Sequence, residues 1–459
     1  MKRSENILLL GLGGVGRYLA RRLSFDGHSV TVIETDRELI QAAESELDAR
    51  LVRGDALDFN CWEAVRARDM DYLIAVTDDD AVNILAARIA DTYGIPQKIA
   101  RVRSMRIWEE DAPISAEDLK IDLVIRPAEL AAQEIARLLM MRSGNVVLDI
   151  GDGSLQVVAT HISSGGLLAN KRVQDIAEDK SLQLRIVCVA RGIETLIPNG
   201  AFVIRPDDHV YLMTTRADIP RIMRLAGIKD SVRQRLLIVG GGNIGTRTAE
   251  LLEERYPVRL LERDEVRAEE LSYKLKRTQC LNGDGSNGET LLNAGLLRMD
   301  TIITATGDNE TNIMSAVLAK HIIATRSAGG QVSKSIVCVN RQEYVTLATA
   351  MGADIAVSAK VLAGNRILRY IRRGHVLSVA HLHGCDAEVV ELLADKESPI
   401  TKARLADLGL LQGQLMIGAV FRDGRWWVAT GETRIAAGER VVCICTSPHL
   451  RDLQQLFLK

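Results

Sequence analysis

The sequence predicts an α/β protein made of two tandem, doubly wound parallel sheets, each followed by a smaller α+β lobe. Three observations carry this. A strand, a glycine-rich turn and a helix occur in that order twice. After each copy, apolar runs of strand length alternate with helical patterns. Beyond each alternating stretch the pattern changes to short strands separated by turn residues.

The duplication emerges when the chain is matched to itself. Gly11, Gly13 and Gly16 fall on Gly240, Gly242 and Gly245 at one fixed interval. Gly54-Asp55 falls on Gly283-Asp284, and Asn83 on Asn312, at that same interval. Glu34 and Asp36 fall on Glu262 and Asp264 with one residue less between them. A register held over so many positions marks an internal repeat.

In the first copy, residues 6–10 form a short apolar run ending in glycines, as a strand buried on both faces does. Residues 15–25 have helical periodicity, residues 29–33 form the next strand, and residues 72–76 and 99–102 supply two more. The second copy repeats this at residues 235–239, 244–254, 258–261, 301–305 and 336–339. Strands alternating with helices of this length predict a Rossmann-like sheet. A long helix closes each copy. Its apolar stripe is Ala131, Ile135, Leu138 and Leu139 in the first, and Val361, Leu362, Ile367, Leu368 and Ile371 in the second. Such a stripe serves either as a dimer contact or as core.

Residues 145–150, 155–161, 184–190 and 209–213 then read as strands, with a short helical segment at 173–177. From His375 the scheme repeats, closing on a strand at 439–445 and a terminal helix. Junctions near Ser143-Gly144, 227–234 and Arg373-Gly374 divide the chain into 1–142, 143–228, 232–372 and 373–459, ordered large, small, large, small.

Composition narrows the function classes. The net charge of −2 gives no electrostatic grip on nucleic acid or anionic lipid. Only 4% of residues are aromatic, too few for a base-stacking platform. The basic pair and apolar run at the start are too short for a signal peptide and lead straight into a glycine turn. No apolar stretch approaches the roughly 18 residues of a membrane span. Seven cysteines, an odd number, suit free thiols in a reducing compartment. A soluble, cytoplasmic protein is expected.

The glycine turns carry the chemistry. Each G-x-G-x-x-G follows a strand, opens a helix and precedes an acid about 20 residues on, the context of a dinucleotide site. Gly11 permits the tight turn, Gly13 lets a pyrophosphate approach the backbone, and Gly16 brings the helix close to the sheet. Gly240, Gly242 and Gly245 repeat these roles. Unpaired N–H groups at the helix start face the phosphates. Glu34 and Glu262 end the second strand of each copy, where a carboxylate accepts from both ribose hydroxyls and repels a 2′-phosphate. NAD or adenosine is therefore favoured over NADP. Asp55 and Asp284 follow the third strand, near an adenine ring or as turn caps. Thr77 and Asp78 stand at the ligand edge after the fourth strand, and Arg101 offers a guanidinium to a phosphate or to a surface ion pair. Cys338 takes the place of Arg101 in the second copy, so the two sites are expected to differ in preference.

Other constellations carry less. His381, His383 and Cys385 alternate as strand-borne zinc ligands would, but Gly384 interrupts them and no fourth ligand is evident. Cys443 and Cys445 sit in an alternating apolar strand and read as core thiols. Asp78–Asp80 suits a helix N-terminus better than a cation site. Trp426-Trp427 reads as strand. No Tyr-x-x-x-Lys pair, G-x-S-x-G elbow or cysteine-rich metal signature is present, which favours a ligand sensor over an enzyme. The rival readings are an NAD-dependent oxidoreductase and a nucleotide-binding scaffold.

The stretches LLLGLGGVGRYLA, VTVIETD, IAVTDDDAVNILAARIA and KIARVRS in the first copy resemble the TrkA family of tandem regulator-of-K⁺-conductance proteins. So do LLIVGGGNIG, RLLERD, NGDGSNGETLL and NETNIMSAVLAK in the second, and PNGAFVIRPDDHVYL and AGERVVCI in the small lobes. The resemblance runs from Asn6 to about Phe457. It implies two regulator units, each an N-terminal Rossmann lobe with a C-terminal lobe, and binding of NAD⁺/NADH, with ATP and ADP as further candidate ligands. It implies a homo-oligomeric ring, dimer or tetramer, beneath a membrane-embedded Trk-type potassium channel subunit. Carried over by position, the first site comprises Gly11, Leu12, Gly13, Gly14, Val15, Glu34, Thr77, Asp78 and Arg101. The second comprises Gly240, Gly241, Gly242, Asn243, Ile244 and Glu262, with Asp284 and Thr306 beside them. Departures are Glu34, often aspartate in the family, and Met105-Arg106-Ile107, where the family has Pro-Asp-Tyr. His383 and Cys385 match no family pattern.

Overall fold

The computed structural model describes residues 4–103, 115–140, 146–150, 154–162, 168–177, 183–192, 194–215, 217–219, 221–222, 234–326, 334–371, 376–382, 385–409 and 413–458. The chain divides into two compact units, Met1–Ala131 with Ala359–Arg372, and Ala132–Ser358 with Arg373–Lys459. Ser143-Gly144, residues 227–233 and Arg373-Gly374, expected as junctions, lie outside the described residues, as does Met105-Arg106-Ile107.

In the first unit, β1 (Asn6–Leu10), β2 (Ser29–Glu34), β3 (Arg50–Arg53), β4 (Tyr72–Ala75), β5 (Gln97–Arg101) and β6 (Leu123–Ile125) form one sheet. Its order is β3-β2-β1-β4-β5-β6, with every pairing parallel. The unbroken apolar run of β1 follows from burial on both faces. Ile7 and Leu9 pack with Val15, Leu19 and Leu23 on one side. Leu8 and Leu10 pack with Trp62, Ala86 and Ala90 on the other. The order of strands reverses between β1 and β4, and ligands of such sheets lie at the carboxyl ends of the strands flanking that reversal.

The Ala359–Ile371 helix belongs to this unit although it follows a strand of the other sheet in sequence. Ala363, Ile367, Leu368 and Ile371 share one core with Leu19 and Leu23 of the Gly14–Phe25 helix. Tyr370 Oη donates to Gln97 Oε1 at 2.5 Å. The stripe that offered itself as a dimer contact is thus buried within the chain.

The second unit holds β12 (Leu236–Val239), β13 (Val258–Glu262), β14 (Gln279–Asn282), β15 (Thr301–Thr304), β16 (Lys334–Val339) and β17 (Ile355–Ser358), all parallel in the order β14-β13-β12-β15-β16-β17. The end of the Pro127–Met140 helix is held here. Tyr256 Oη donates to Leu139 O at 3.2 Å and Lys334 Nζ to Leu138 O at 3.1 Å. Burial lowers the Lys334 ammonium to about 8.

Two five-stranded antiparallel sheets complete this unit. One holds β7 (Val146–Ile150), β8 (Leu155–His161), β9 (Leu184–Arg191), β10 (Glu194–Leu196) and β11 (His209–Thr215). The other holds β18 (Val376–His381), β19 (Ala387–Leu393), β20 (Leu415–Arg422), β21 (Arg425–Val428) and β22 (Arg440–Thr446). They share one core, in which Val157, Val187, Tyr211 and Met213 of the first pack with Leu382, Val389, Val442 and Ile444 of the second. Asp386 N donates to Thr195 Oγ1 at 2.8 Å, and Arg185 Nη1 to the Ala429 carbonyl. No described helix is long and apolar enough to cross a membrane.

Candidate functional site

Both glycine turns lie at the strand-order reversal of their sheets. Gly11 has φ +93°, and a Cβ there would press on the Thr77 backbone N and Cα at 3.0 Å. A Cβ on Gly16 would overlap the Gly11 carbonyl oxygen. The second turn repeats both constraints. Gly240 has φ +106° with the Ala305 carbonyl carbon 2.8 Å from its Cβ position, and a Cβ on Gly245 would overlap the Gly240 oxygen. Gly13 and Gly242 differ in kind. Both have extended backbones open to any residue, and a Cβ on either meets nothing within 4 Å. They stand where the Gly14–Phe25 and Asn243–Leu252 helices begin, with no side-chain cap on the first N–H groups. Uncapped donors beside open space make each turn a candidate anion cradle.

The acid at the end of the second strand ties each cradle. Glu34 Oε2 accepts from Leu12 N at 2.5 Å, and Oε1 accepts from Thr35 N at 2.7 Å and Asp36 N at 2.9 Å. Glu262 Oε2 accepts from Gly241 N at 2.6 Å and Oε1 from Asp264 N at 2.9 Å. A glutamate side chain is long enough to span from strand end to glycine turn. Its carboxylate lies at the rim, where a ribose diol would share it.

A buried asparagine, unassigned in the sequence reading, holds the opposite wall of each cradle. Asn83 Oδ1 accepts from Thr77 N at 2.9 Å and Thr77 Oγ1 at 2.7 Å, and Asn83 Nδ2 donates to the Thr77 and Arg101 carbonyls at 3.0 Å. Asn312 does the same with Thr306 N and Oγ1, at 2.8 and 2.7 Å, and with the Thr306 and Cys338 carbonyls. Their match in the repeat was the available signal; the role needed the third dimension. Asn83→Ala should cost about 2–4 kcal/mol in denaturant unfolding, since several buried backbone groups lose their partners.

Asp55 and Asp284 serve turns. Asp55 Oδ1 accepts from Leu57 N at 2.8 Å, and Asp284 Oδ1 from Ser286 N at 2.8 Å and Ser286 Oγ at 2.7 Å. The Ser286 donors hold the Asp284 carboxyl below its ordinary range. Asp78 is exposed and pairs with Arg101 Nη1 at 3.0 Å. Arg101 Nη1 also lies 3.4 Å from the Thr77 carbonyl, and its buried Nε has no hydrogen-bond partner. Asp79, between the neighbouring acids, caps the Asp80–Tyr93 helix by accepting from Ala81 N and Val82 N.

The second cradle is built differently around the same frame. Cys338, where Arg101 stands in the first, is buried and its thiol is pushed up to about 12. Arg267 Nε donates to the Gly241 carbonyl at 3.3 Å, and Thr246 Oγ1 donates to that oxygen at 2.8 Å.

Of the alternating His381, His383 and Cys385, the His381 side chain and all of His383 lie outside the described residues. Cys385 is buried with its Sγ 3.6 Å from Cys188 Sγ. Among the described residues no three His, Cys, Asp or Glu side chains cluster for a metal. Cys443 and Cys445 are core residues of β22, and Trp426-Trp427 lies in β21.

The TrkA-N domain model matches residues 7–127 and again 236–359, the two parallel sheets. The Trk system potassium uptake protein TrkA of Halomonas elongata is 31% identical over 457 residues, covering 98% of both chains. That of Vibrio alginolyticus is 30% identical with the same coverage. In structure the chain is similar to the GsuK RCK domain, with TM-score 0.58 and 20% identity over 99% of this chain and 95% of that one. It is also similar to the GsuK channel bound to NAD, with TM-score 0.58 and 20% identity over 99% of this chain and 79% of that one. These structures show the tandem RCK-like fold. The curated relatives are potassium uptake proteins, which sets aside the oxidoreductase alternative: the chain is not an enzyme. Two matches to one domain model and relatives spanning its whole length agree: the chain belongs to the TrkA family of Trk-system potassium uptake proteins.

Proposed function

We propose that the chain is a nucleotide sensor that gates a membrane-embedded Trk-type potassium channel subunit through ligand-dependent rearrangement of its Rossmann lobes. The observation that carries this is the duplicated cradle: an uncapped helix start, a glycine whose Cβ position is open, and a carboxylate at the ribose rim, twice in one chain. NAD⁺/NADH are the leading ligands, with ATP and ADP as competitors. GsuK chains of the same fold have been solved with NAD and with ADP, which supports that choice. The ribose carboxylates Glu34 and Glu262 disfavour NADP.

In this reading the chain works as four lobes, 1–142, 143–228, 232–372 and 373–459, and acts in the cytoplasm as a homo-oligomeric ring, dimer or tetramer, docked on its channel. A nucleotide shifts the ring only through unequal affinity for its two arrangements. Unequal sites, with Arg101 against Cys338, let the protein respond to a ratio of ligands rather than to one concentration.

Calorimetric titration of the full chain with NAD⁺, NADH, ATP and ADP tests the reading. Two binding events per chain with different ligand preferences are expected, together with no NADH oxidation in a metabolite mixture. A chain that binds none of the four nucleotides would overturn it. Channel partnership is checked separately, by co-purification with a multi-span membrane protein and by nucleotide-dependent ion flux through that pair.

A further inference from the structure

We propose that Cys188 and Cys385 form an oxidisable thiol pair, which a peroxide converts to a disulfide stapling the two small antiparallel sheets together. The pair lies apart from both glycine turns, and the proposal does not depend on the nucleotide reading.

The two sulfurs come from segments far apart in sequence. Cys188 belongs to β9 of one sheet, and Cys385 to the bend that joins β18 to β19 of the other. Their Sγ atoms stand 3.6 Å apart, in contact, inside the core that the sheets share. The Tyr211 hydroxyl hydrogen-bonds to the Cys385 sulfur, so protic groups from both sheets meet among aliphatic neighbours.

The backbones that carry the sulfurs differ in freedom. Cys188 is fixed by the pairing of β9 with β11, where it stands opposite Tyr211. Cys385 lies beyond the β18–β19 ladder, whose last pair is His381 with Glu388. The bend is tied by Cys385 N donating to Leu382 O at 3.5 Å and Asp386 N to Thr195 Oγ1 at 2.8 Å. The sulfurs have to close by about 1.5 Å to bond. Side-chain rotation and a small shift of the bend supply that while β9 stays in place. Asp386 and Thr195 are half-buried, so the bend forms the rim of the core and a small oxidant has one turn of chain to pass.

The chemistry balances with peroxide as the only co-reactant. The Cys385 sulfur attacks one peroxide oxygen, the O–O bond breaks, and the thiol proton leaves with the other oxygen as water. Cys385 is then a sulfenic acid. The Cys188 sulfur attacks the Cys385 sulfur, the S–O bond breaks, and the departing hydroxide takes the Cys188 proton as a second water. Two thiols have given two electrons to one peroxide. Burial pushes the Cys188 thiol well above its ordinary range, which makes it the second to react. The new bond joins positions 197 residues apart, and closing so long a loop restricts the unfolded chain.

The test treats the native full chain with hydrogen peroxide, alkylates the remaining thiols and maps peptides without reductant. A linked Cys188–Cys385 peptide pair is expected, and dithiothreitol should release it. The oxidised chain should unfold at a higher denaturant midpoint than the reduced one. Cys385→Ser and Cys188→Ala should each remove both the link and the shift. Mapping the unsubstituted chain decides the question even where a core substitution prevents folding. Oxidation confined to the half-buried Cys61 and Cys280 overturns the proposal. So does a Cys188–Cys385 link that forms only after the chain has been unfolded, and a link that leaves the midpoint unchanged overturns the staple.

Discussion

Gly13→Val should abolish nucleotide binding at the first site while leaving the fold intact. The Gly13 backbone is extended, at φ −62° and ψ −173°, so a valine is accommodated without strain. Nothing lies within 4 Å of its Cβ position, so no neighbour must move. The valine methyls would fill the space that a pyrophosphate needs to reach the N–H groups of the helix start. Losing two charge-assisted hydrogen bonds, at about 1.5–3 kcal/mol each, weakens binding by roughly 100-fold or more. Thermal unfolding should shift little, because a substitution into open space without backbone strain changes stability by no more than about 0.5 kcal/mol. Calorimetry and a melting curve on one preparation check both halves. Gly242→Val should do the same at the second site alone. Full affinity at the mutated turn would place the phosphates elsewhere.

Gly16→Ala should have the opposite character, a large loss of stability. A Cβ at this position overlaps the Gly11 carbonyl oxygen, a backbone atom held in a turn that itself packs on the Thr77 backbone. No side chain can swing aside to make room. The helix would have to lift from the sheet, and Val15, Leu19 and Leu23 would lose their packing against Ile7 and Leu9. We expect destabilisation of about 3 kcal/mol or more, at the upper end of overpacking effects, read as a lowered denaturant midpoint. Gly245→Ala should cost a similar amount in the second sheet, where the Gly240 oxygen is the obstacle. Two glycines three residues apart in one motif are thus expected to separate: substitution at Gly13 should be read in ligand binding, and at Gly16 in the fold.

The parallel sheets were legible in the sequence because both faces of their strands are covered. β1 has an unbroken apolar run for that reason, and its match in β12 repeats it. Strand ends were read within a residue or two; β5 begins at Gln97 where the sequence suggested residue 99. At the candidate site, spacing placed the glycines in the turns and the acids Glu34 and Glu262 at the strand ends, since these positions are set by local backbone geometry. Asn83 and Asn312 were visible only as a repeated letter. Their four hydrogen bonds reach a turn and a neighbouring strand that sequence spacing does not connect.

What the sequence determined by itself was the repeat, the parallel sheets and the position of the glycine turns. Periodicity, glycine spacing and strand-end acids are local properties, expressed within a few residues of where they act. What only the tertiary structure decided was which surfaces the apolar stripes cover and which distant side chains meet. An amphipathic helix states that it must bury a face and leaves the partner open. The Ala359–Ile371 helix settles on the Gly14–Phe25 helix because Gly14 and Gly364 admit Lys360 and Tyr18, a fit between residues hundreds of positions apart. The two small sheets bury their apolar faces against each other for the same reason. Burial is non-directional, and shape complementarity between remote segments chooses among the partners it permits.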